Sequence, residues 1–287
     1  SESASGFALA VSADGKVAVA GAVEGALSNT AAAKGKTDSF VTVFDATGKE
    51  LWTARRGATG ADQVNAISFA SNGSLILAGQ TESALAGQSA LGGADGYVRG
   101  YSAGGVELFT KQFGTTGADA TTALSVRDNG SGGFDIFTGG VENNRGVVRS
   151  FTYAPGNGFT AGATRDIGYF YKGAINAIAV EGSSLYVGGE IGADRLTLGT
   201  PASAAVAGQE GFVARMNVNL ASTSLDRASY LGSAGDDAVK SLAVVNGEVY
   251  AAGLTTGVIA GQGTSGSKSS FITRLADDGE AAWTRAF

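Results

Sequence analysis

Cysteine and histidine are both absent from the 287 residues of this chain. The first absence excludes disulfides, thiol nucleophiles and thiolate metal sites. The second excludes imidazole ligands and any triad that uses histidine as its base. Lack of cysteine fits a reducing compartment and equally a bacterial exported protein. Proline occurs only twice, so the chain is not a proline-rich linker. No apolar run is long enough to cross a bilayer as a helix, and no membrane insertion is expected. Basic residues are the minority, 20 against 26 acidic, for a net charge of −6. That balance disfavours nucleic acid, whose binding needs clustered Lys and Arg, and anionic membrane surfaces.

What is abundant is glycine, at 46 residues, set among 44% hydrophobic residues that are ample for a core. The glycines close a phrase that returns five times. It reads Val17-Ala18-Val19-Ala20-Gly21, Leu75-Ile76-Leu77-Ala78-Gly79, Ile136-Phe137-Thr138-Gly139-Gly140, Leu185-Tyr186-Val187-Gly188-Gly189 and Val249-Tyr250-Ala251-Ala252-Gly253. The closing glycines are 79−21 = 58, 140−79 = 61, 189−140 = 49 and 253−189 = 64 residues apart. Such a period signals a repeat architecture.

Each unit reads as four strands. First strands are expected at 7–11, 64–69, 122–126, 175–180 and 239–245, nearly all apolar, small or β-branched and so buried on both faces. The glycine-closed phrases are second strands. Third strands at 40–44, 97–101, 147–151, 212–216 and 271–275 carry Arg99, Arg149, Arg215 and Arg274, which leave one face partly wet. Fourth strands such as 50–56, 107–113 and 282–287 are the most polar, as suits an outer edge. Burial should therefore fall from first strand to fourth. Asp14-Gly15, Asn72-Gly73, Thr47-Gly48, Gly104-Gly105 and Asp278-Gly279 suit type I′ hairpins. Long loops join second to third strands, with a recurrent Ala-Gly-Gln at Gln88, Gln209 and Gln262. Trp52, Phe109 and Trp283 hold matching fourth-strand places and should pack between neighbouring sheets. Ala163 and Arg227 take that place in units three and four, where Pro155 and Pro201 also fall.

The expected fold is all-β: a five-bladed β-propeller with four-stranded antiparallel blades. It forms a single domain over 1–287, with repeats at about 5–57, 60–114, 117–168, 173–232 and 236–287, excised from a larger protein. Sequence alone leaves open whether the termini share a sheet.

The stretch Phe44-Asp45-Ala46-Thr47-Gly48-Lys49-Glu50-Leu51-Trp52-Thr53 resembles the bacterial β-propeller repeat known as SBBP, as does Gly93-Ala94-Asp95-Gly96-Tyr97-Val98-Arg99. Gly60-Ala61-Asp62, Gly117-Ala118-Asp119 and Gly235-Asp236-Asp237 match its Gly-x-Asp start; unit four has Tyr171-Lys172-Gly173 instead. The resemblance implies a propeller in a bacterial exported or surface protein and no catalytic residues. The Asp-Ala-Thr-Gly-Lys wording also resembles quinoprotein repeats, but those keep Trp in most units, and no quinone or other cofactor is expected.

Candidate chemistry is sparse. A glycosidase needs paired carboxylates; the nearest acids are Asp62, Asp119, Asp236 and Asp237, in turns, where Asp commonly bonds backbone N–H. Asp277-Asp278-Gly279 lacks the spacing of a calcium loop and reads as a hairpin turn. Trp52 and Trp283 could stack on sugars. Lys34 and Lys36 form a small basic spot. Gln88, Gln209 and Gln262 could bind a ligand on the rim or bond their own loops. The expected role is a non-catalytic interaction or structural module, an adhesin or appendage domain at a bacterial surface, with a protein or glycan partner. A carboxylate-dependent glycoside hydrolase, or a lectin with one sugar site per blade, is the alternative.

Overall fold

Twenty strands and no helix make up the described part of the computed structural model, which covers residues 3–27, 30, 32–192, 195–203, 205, 208–262 and 268–287. Each sheet is built from four consecutive strands in sequence order. The first holds β1 (Ala4–Val11), β2 (Val17–Val23), β3 (Asp38–Phe44) and β4 (Glu50–Arg56). The second holds β5 (Asp62–Phe69), β6 (Leu75–Thr81), β7 (Asp95–Tyr101) and β8 (Glu107–Phe113). The third holds β9 (Asp119–Asp128), β10 (Phe134–Glu142), β11 (Arg145–Ala154) and β12 (Gly158–Tyr169). The fourth holds β13 (Ala174–Glu181), β14 (Ser184–Ile191), β15 (Glu210–Asn217) and β16 (Arg227–Leu231). The fifth holds β17 (Asp237–Val245), β18 (Glu248–Thr255), β19 (Ser269–Leu275) and β20 (Ala281–Ala286). No sheet combines strands from both ends of the chain, which answers the question of strand phase.

The chain divides into two compact units, one of Ser1–Thr138 with Phe151–Ala161, the other of Gly139–Ser150 with Gly162–Phe287. In the first unit, Ala18, Ala20, Val41, Val43, Val64, Leu75 and Leu77 form one core cluster. A second gathers Ile76, Val98, Phe113, Phe134 and Phe151, with Phe109, Tyr153 and Phe159 packed against it. The core of the second unit is built on Tyr186, Val213, Val239, Val249, Phe271 and Leu275.

The repeated glycine does not end its strand. Second strands run two residues past it, and it faces a bulge in the first strand. Register shifts fall between Gly6 and Ala8, Val64 and Ala66, Ile175 and Ala177, and Val239 and Ser241. The bulge turns a first-strand carbonyl toward the glycine. A Cβ on Gly21, Gly79, Gly189 or Gly253 would lie 1.8–2.0 Å from the oxygen of Ser5, Gln63, Ala174 or Ala238. Close approach of backbone, not turn formation, is why glycine recurs here.

Four expectations are corrected. Burial does not fall steadily from the first strand. It peaks in the middle: β7 is buried at every position, whereas β1 is largely exposed, with Phe7, Leu9 and Val11 more than half exposed. A first strand has a sheet neighbour on one side only. Among the third-strand arginines, Arg149, Arg215 and Arg274 are partly exposed as expected, and Arg99 is the exception. Arg99 is 4% exposed, its Nε donating to Thr110 Oγ1 at 2.7 Å and its guanidinium over the Tyr97 ring. The Asp-Gly, Asn-Gly and Thr-Gly turns are not type I′. Only their glycines have positive φ, and Gly15 N–H donates to Ser12 C=O at 3.0 Å, so they are type I turns followed by a left-handed glycine. Asn143-Asn144 and Asn246-Gly247 do have two positive φ values. Finally, Trp52 and Trp283 differ. The Trp52 ring stands 5.5 Å from that of Tyr101 in the second sheet and its Nε1–H donates to Ala103 C=O at 3.1 Å. Trp283 is 39% exposed and its ring approaches Tyr250 of its own sheet.

Candidate functional site: sheet junctions and the long-loop rim

Where one sheet hands over to the next, the same three contacts recur. The Gly-x-Asp acid opens a first strand, and its N–H donates to a carbonyl just before the preceding third strand. Asp62 donates to Thr37 at 3.0 Å, Asp119 to Ala94 at 2.7 Å and Asp237 to Gln209 at 2.8 Å. Its carboxylate reaches back four residues to a backbone N–H: Asp62 accepts from Ala58 at 2.7 Å and Asp237 from Ser233 at 2.7 Å, while Asp119 accepts from Thr115. A second acid opens each preceding third strand. Asp38 accepts from Lys34 N–H at 3.0 Å and Asp95 from Leu91 N–H at 2.9 Å, again four residues back.

The two acids meet at a glycine. A Cβ on Gly57 would lie 2.1 Å from Asp38 Oδ1 and 2.8 Å from Asp62 Oδ2. Gly114 stands likewise between Asp119 and Asp95, and Gly232 between Glu210 and Asp237. All six acids are buried. Asp38 is paired with the buried Arg55, whose Nε lies 2.6 Å from Asp38 Oδ2 and whose Nη1 donates to Gly25 C=O. At the second junction a neutral Gln112 amide donates to Asp95 at 2.7 Å. Asp38, Glu210 and the buried Arg55 were not singled out in the sequence; the Gly-x-Asp acids were, and Asp95 lay in a stretch that carries the family resemblance.

Burial raises the Asp62 pKa above the ordinary carboxylate value, and the nearby Asp38 charge adds to this; the Ala58 N–H, the Thr81 hydroxyl and Arg99 oppose it. A folded-state pKa above the unfolded value means the folded chain holds this proton more tightly. The stabilisation is complete below about pH 4, the unfolded value, and is lost as pH rises through the raised folded value. Asp62→Asn keeps an acceptor for Ala58 N–H and cannot ionise. Thermal unfolding from pH 4 to 8 should therefore show the parent losing more stability with rising pH than the Asn variant. Parallel curves would contradict this.

In the long loops between second and third strands, the three glutamines are not equivalent. Gln88 and Gln262 each stand seven residues before their third strand and clip the exposed edge of a fourth strand. Gln88 Oε1 accepts from Gln112 N–H at 3.1 Å; Gln262 accepts from Ala286 N–H at 3.1 Å and donates to Thr284 C=O at 3.2 Å. In the fourth sheet Ser203 does this, its hydroxyl bonding both N–H and C=O of Tyr230 at 2.8 Å. Gln209 directly precedes β15 instead and donates to Lys172 C=O at 2.8 Å. It lines a depression of about 250 Å³ with Glu190, Asp236, Lys240 and Lys268. Ala207, part of the same tripeptide, lies outside the described residues. The spacing to the third-strand aromatic separates the two kinds: 97−88 = 9 and 271−262 = 9, but 212−209 = 3.

Lys34 stands at the first junction, beside a depression of about 160 Å³ that also touches Asp38, Arg55 and Arg99. Lys36 Nζ lies 3.4 Å from Glu82. Asp277 and Asp278 sit in the β19–β20 turn, where Asp278 accepts from Glu280 N–H at 3.0 Å. Among the described residues no group of three metal-ligating side chains is gathered.

No protein-family profile matches the chain. It is similar to the regulatory protein FlaEY of Caulobacter vibrioides, at 34% identity over 313 aligned positions that take in 96% of this chain and 32% of that protein. The chain thus spans about a third of the curated relative. Among solved structures it is similar to the first two extracellular domains of Drosophila Semaphorin 1b, with a TM-score of 0.52, 8% identity, and coverage of 96% of this chain and 53% of that one. An exo-1,5-alpha-L-arabinanase from a bovine ruminal metagenomic library aligns with a TM-score of 0.40 at 12% identity, over 98% of this chain and 95% of that one. The five four-stranded antiparallel sheets are consistent with the five blades of a β-propeller.

Proposed function

We propose that the five sheets are the blades of a β-propeller of the SBBP kind, and that the protein is a non-catalytic binding module of a bacterial surface or exported protein. Its long-loop rim would meet a protein or glycan, with Gln209 and the depression that it lines as the contact point. The observation that supports this best is what the recurrent acids do. Asp62, Asp119 and Asp237 are buried and hold backbone N–H groups four residues back, so they serve the junctions between repeats. A carboxylate pair that cleaves a glycosidic bond must reach its substrate. Similarity to a bacterial regulatory protein fits a role in binding.

The test is a polysaccharide hydrolysis assay run beside a binding assay on the same panel and on bacterial surface proteins. Saturable binding without turnover, weakened by Gln209→Ala, is the expected result. Hydrolysis lost in a folded Asp237→Asn variant would overturn the reading.

A further inference from the structure

The second unit carries a cavity of about 340 Å³ at the end where the tight hairpins stand, between the fourth and fifth sheets. Its chemistry follows from a comparison of two sheets in the same register. In the fifth, Arg274 of β19 faces Tyr250 and Trp283 across the sheet and is ion-paired with Glu248, the first residue of β18. In the fourth, Arg215 of β15 faces Tyr186 and Arg227. The place of Glu248 is taken by Ser184, whose hydroxyl receives Arg215 Nε and Nη2 at 3.1 and 2.9 Å. The place of Trp283 is taken by Arg227, whose Nη1 donates to Asp277 C=O at 3.0 Å. Two arginines therefore stand directly opposite each other, an arrangement that destabilises a sheet. Neither forms an ion pair among the described residues.

The cavity itself comes from the same substitution. In the first unit, Trp52 fills the corresponding wedge, close enough that a Cβ on Gly105 would strike its ring. In the second unit Gly279 takes the place of Gly105 and faces Arg227 and Ser229. The slimmer arginine leaves space whose floor is Val213, Val249 and Leu275. Two acids line the wall: Glu181 accepts from Gly247 N–H at 2.7 Å, and Asp277 meets Arg227 through its backbone carbonyl. A volume of this size falls in the range of small-molecule sites, which combine apolar walls with a few polar groups. Arginine forks suit oxyanions, with charge-assisted bonds to each oxygen.

We propose that this cavity binds a small organic oxyanion, its charged group held between Arg215 and Arg227 and its uncharged part against Val213 and Val249. The site lies away from the long-loop rim and does not depend on the reading of that rim.

Calorimetric titration with glucuronate, inorganic sulfate, inorganic phosphate and neutral glucose tests this. At least one oxyanion should bind saturably and glucose should not. A preference for glucuronate points to an acidic sugar; a preference for sulfate or phosphate points to an ester. Ser184→Glu restores the carboxylate of the fifth sheet and should weaken binding by about 10–100-fold, the worth of one charge-assisted bond. Arg227→Trp refills the wedge and should abolish binding. Both variants are checked for folding by circular dichroism, and Ser184→Glu carries the test if Arg227→Trp does not fold. Absence of oxyanion binding, or binding that persists in the folded variants, would overturn the proposal.

Discussion

Asp38→Ala should cost about 3–5 kcal/mol of stability, because it strands a charge rather than merely removing a contact. Arg55 is 2% exposed and Asp38 1%, so water cannot take over the lost partner. Asp38 also accepts the Lys34 N–H, leaving a backbone donor without its acceptor. The cost should shrink when Arg55 is replaced too. In an Asp38→Ala, Arg55→Met double variant most of the loss should return, since an apolar pair no longer buries an unpaired charge. Urea unfolding of the parent, both singles and the double closes this cycle. A single-variant loss below about 1 kcal/mol, the level of an exposed pair, would show that the junction is wet.

Gly79→Ala should be nearly as damaging, by about 3 kcal/mol or more, at the upper end for overpacked sites. The new methyl would lie 2.0 Å from the Gln63 carbonyl oxygen and 3.0 Å from the Tyr97 ring. Neither is the free end of a flexible side chain, so β5 or β6 must move. Gly253→Ala meets the Ala238 carbonyl in the same way and should behave alike. Gly104→Ala is the control: a Cβ there has no neighbour within 4 Å and the backbone needs no left-handed conformation. Its midpoint in denaturant should be unchanged. Equal effects at Gly79 and Gly104 would remove the bulge as the reason for the repeated glycine.

The four-strand grouping was legible because glycine and apolar runs alternate at short range, which is local information; the fourth strands of units three and four were marked only by Ala163 and Arg227. The expected first, second and third strands stop one to three residues short on the long-loop side. There the residues are polar ones, such as Asp38, Asp95 and Asp62, that pair in the ladder and serve the junction. The function of those acids depends on a partner in the next sheet, so single-strand patterning does not reveal it. Arg55 shows the limit clearly. It lies in the apparently polar strand Glu50–Arg56, yet it is buried, ion-paired with Asp38 of the adjoining strand. The Ala-Gly-Gln repetition misled for the opposite reason: equal tripeptides stand at unequal distances from their third strands. At Arg227, by contrast, the departure from tryptophan was visible in the sequence. Its consequence, a cavity lined by two facing arginines that form no ion pair among the described residues, needed the cross-strand register.

Amide hydrogen exchange at the junctions is the most direct test of the central claim that buried acids join the first sheet to the second, the second to the third and the fourth to the fifth. The N–H groups of Asp62, Asp119 and Asp237, and those of Ala58, Thr115 and Ser233 that the carboxylates cap, should exchange as slowly as the middle strands. Fast exchange at these six amides beside slow exchange in β6 and β18 would show sheets that are stable alone and not joined in this way.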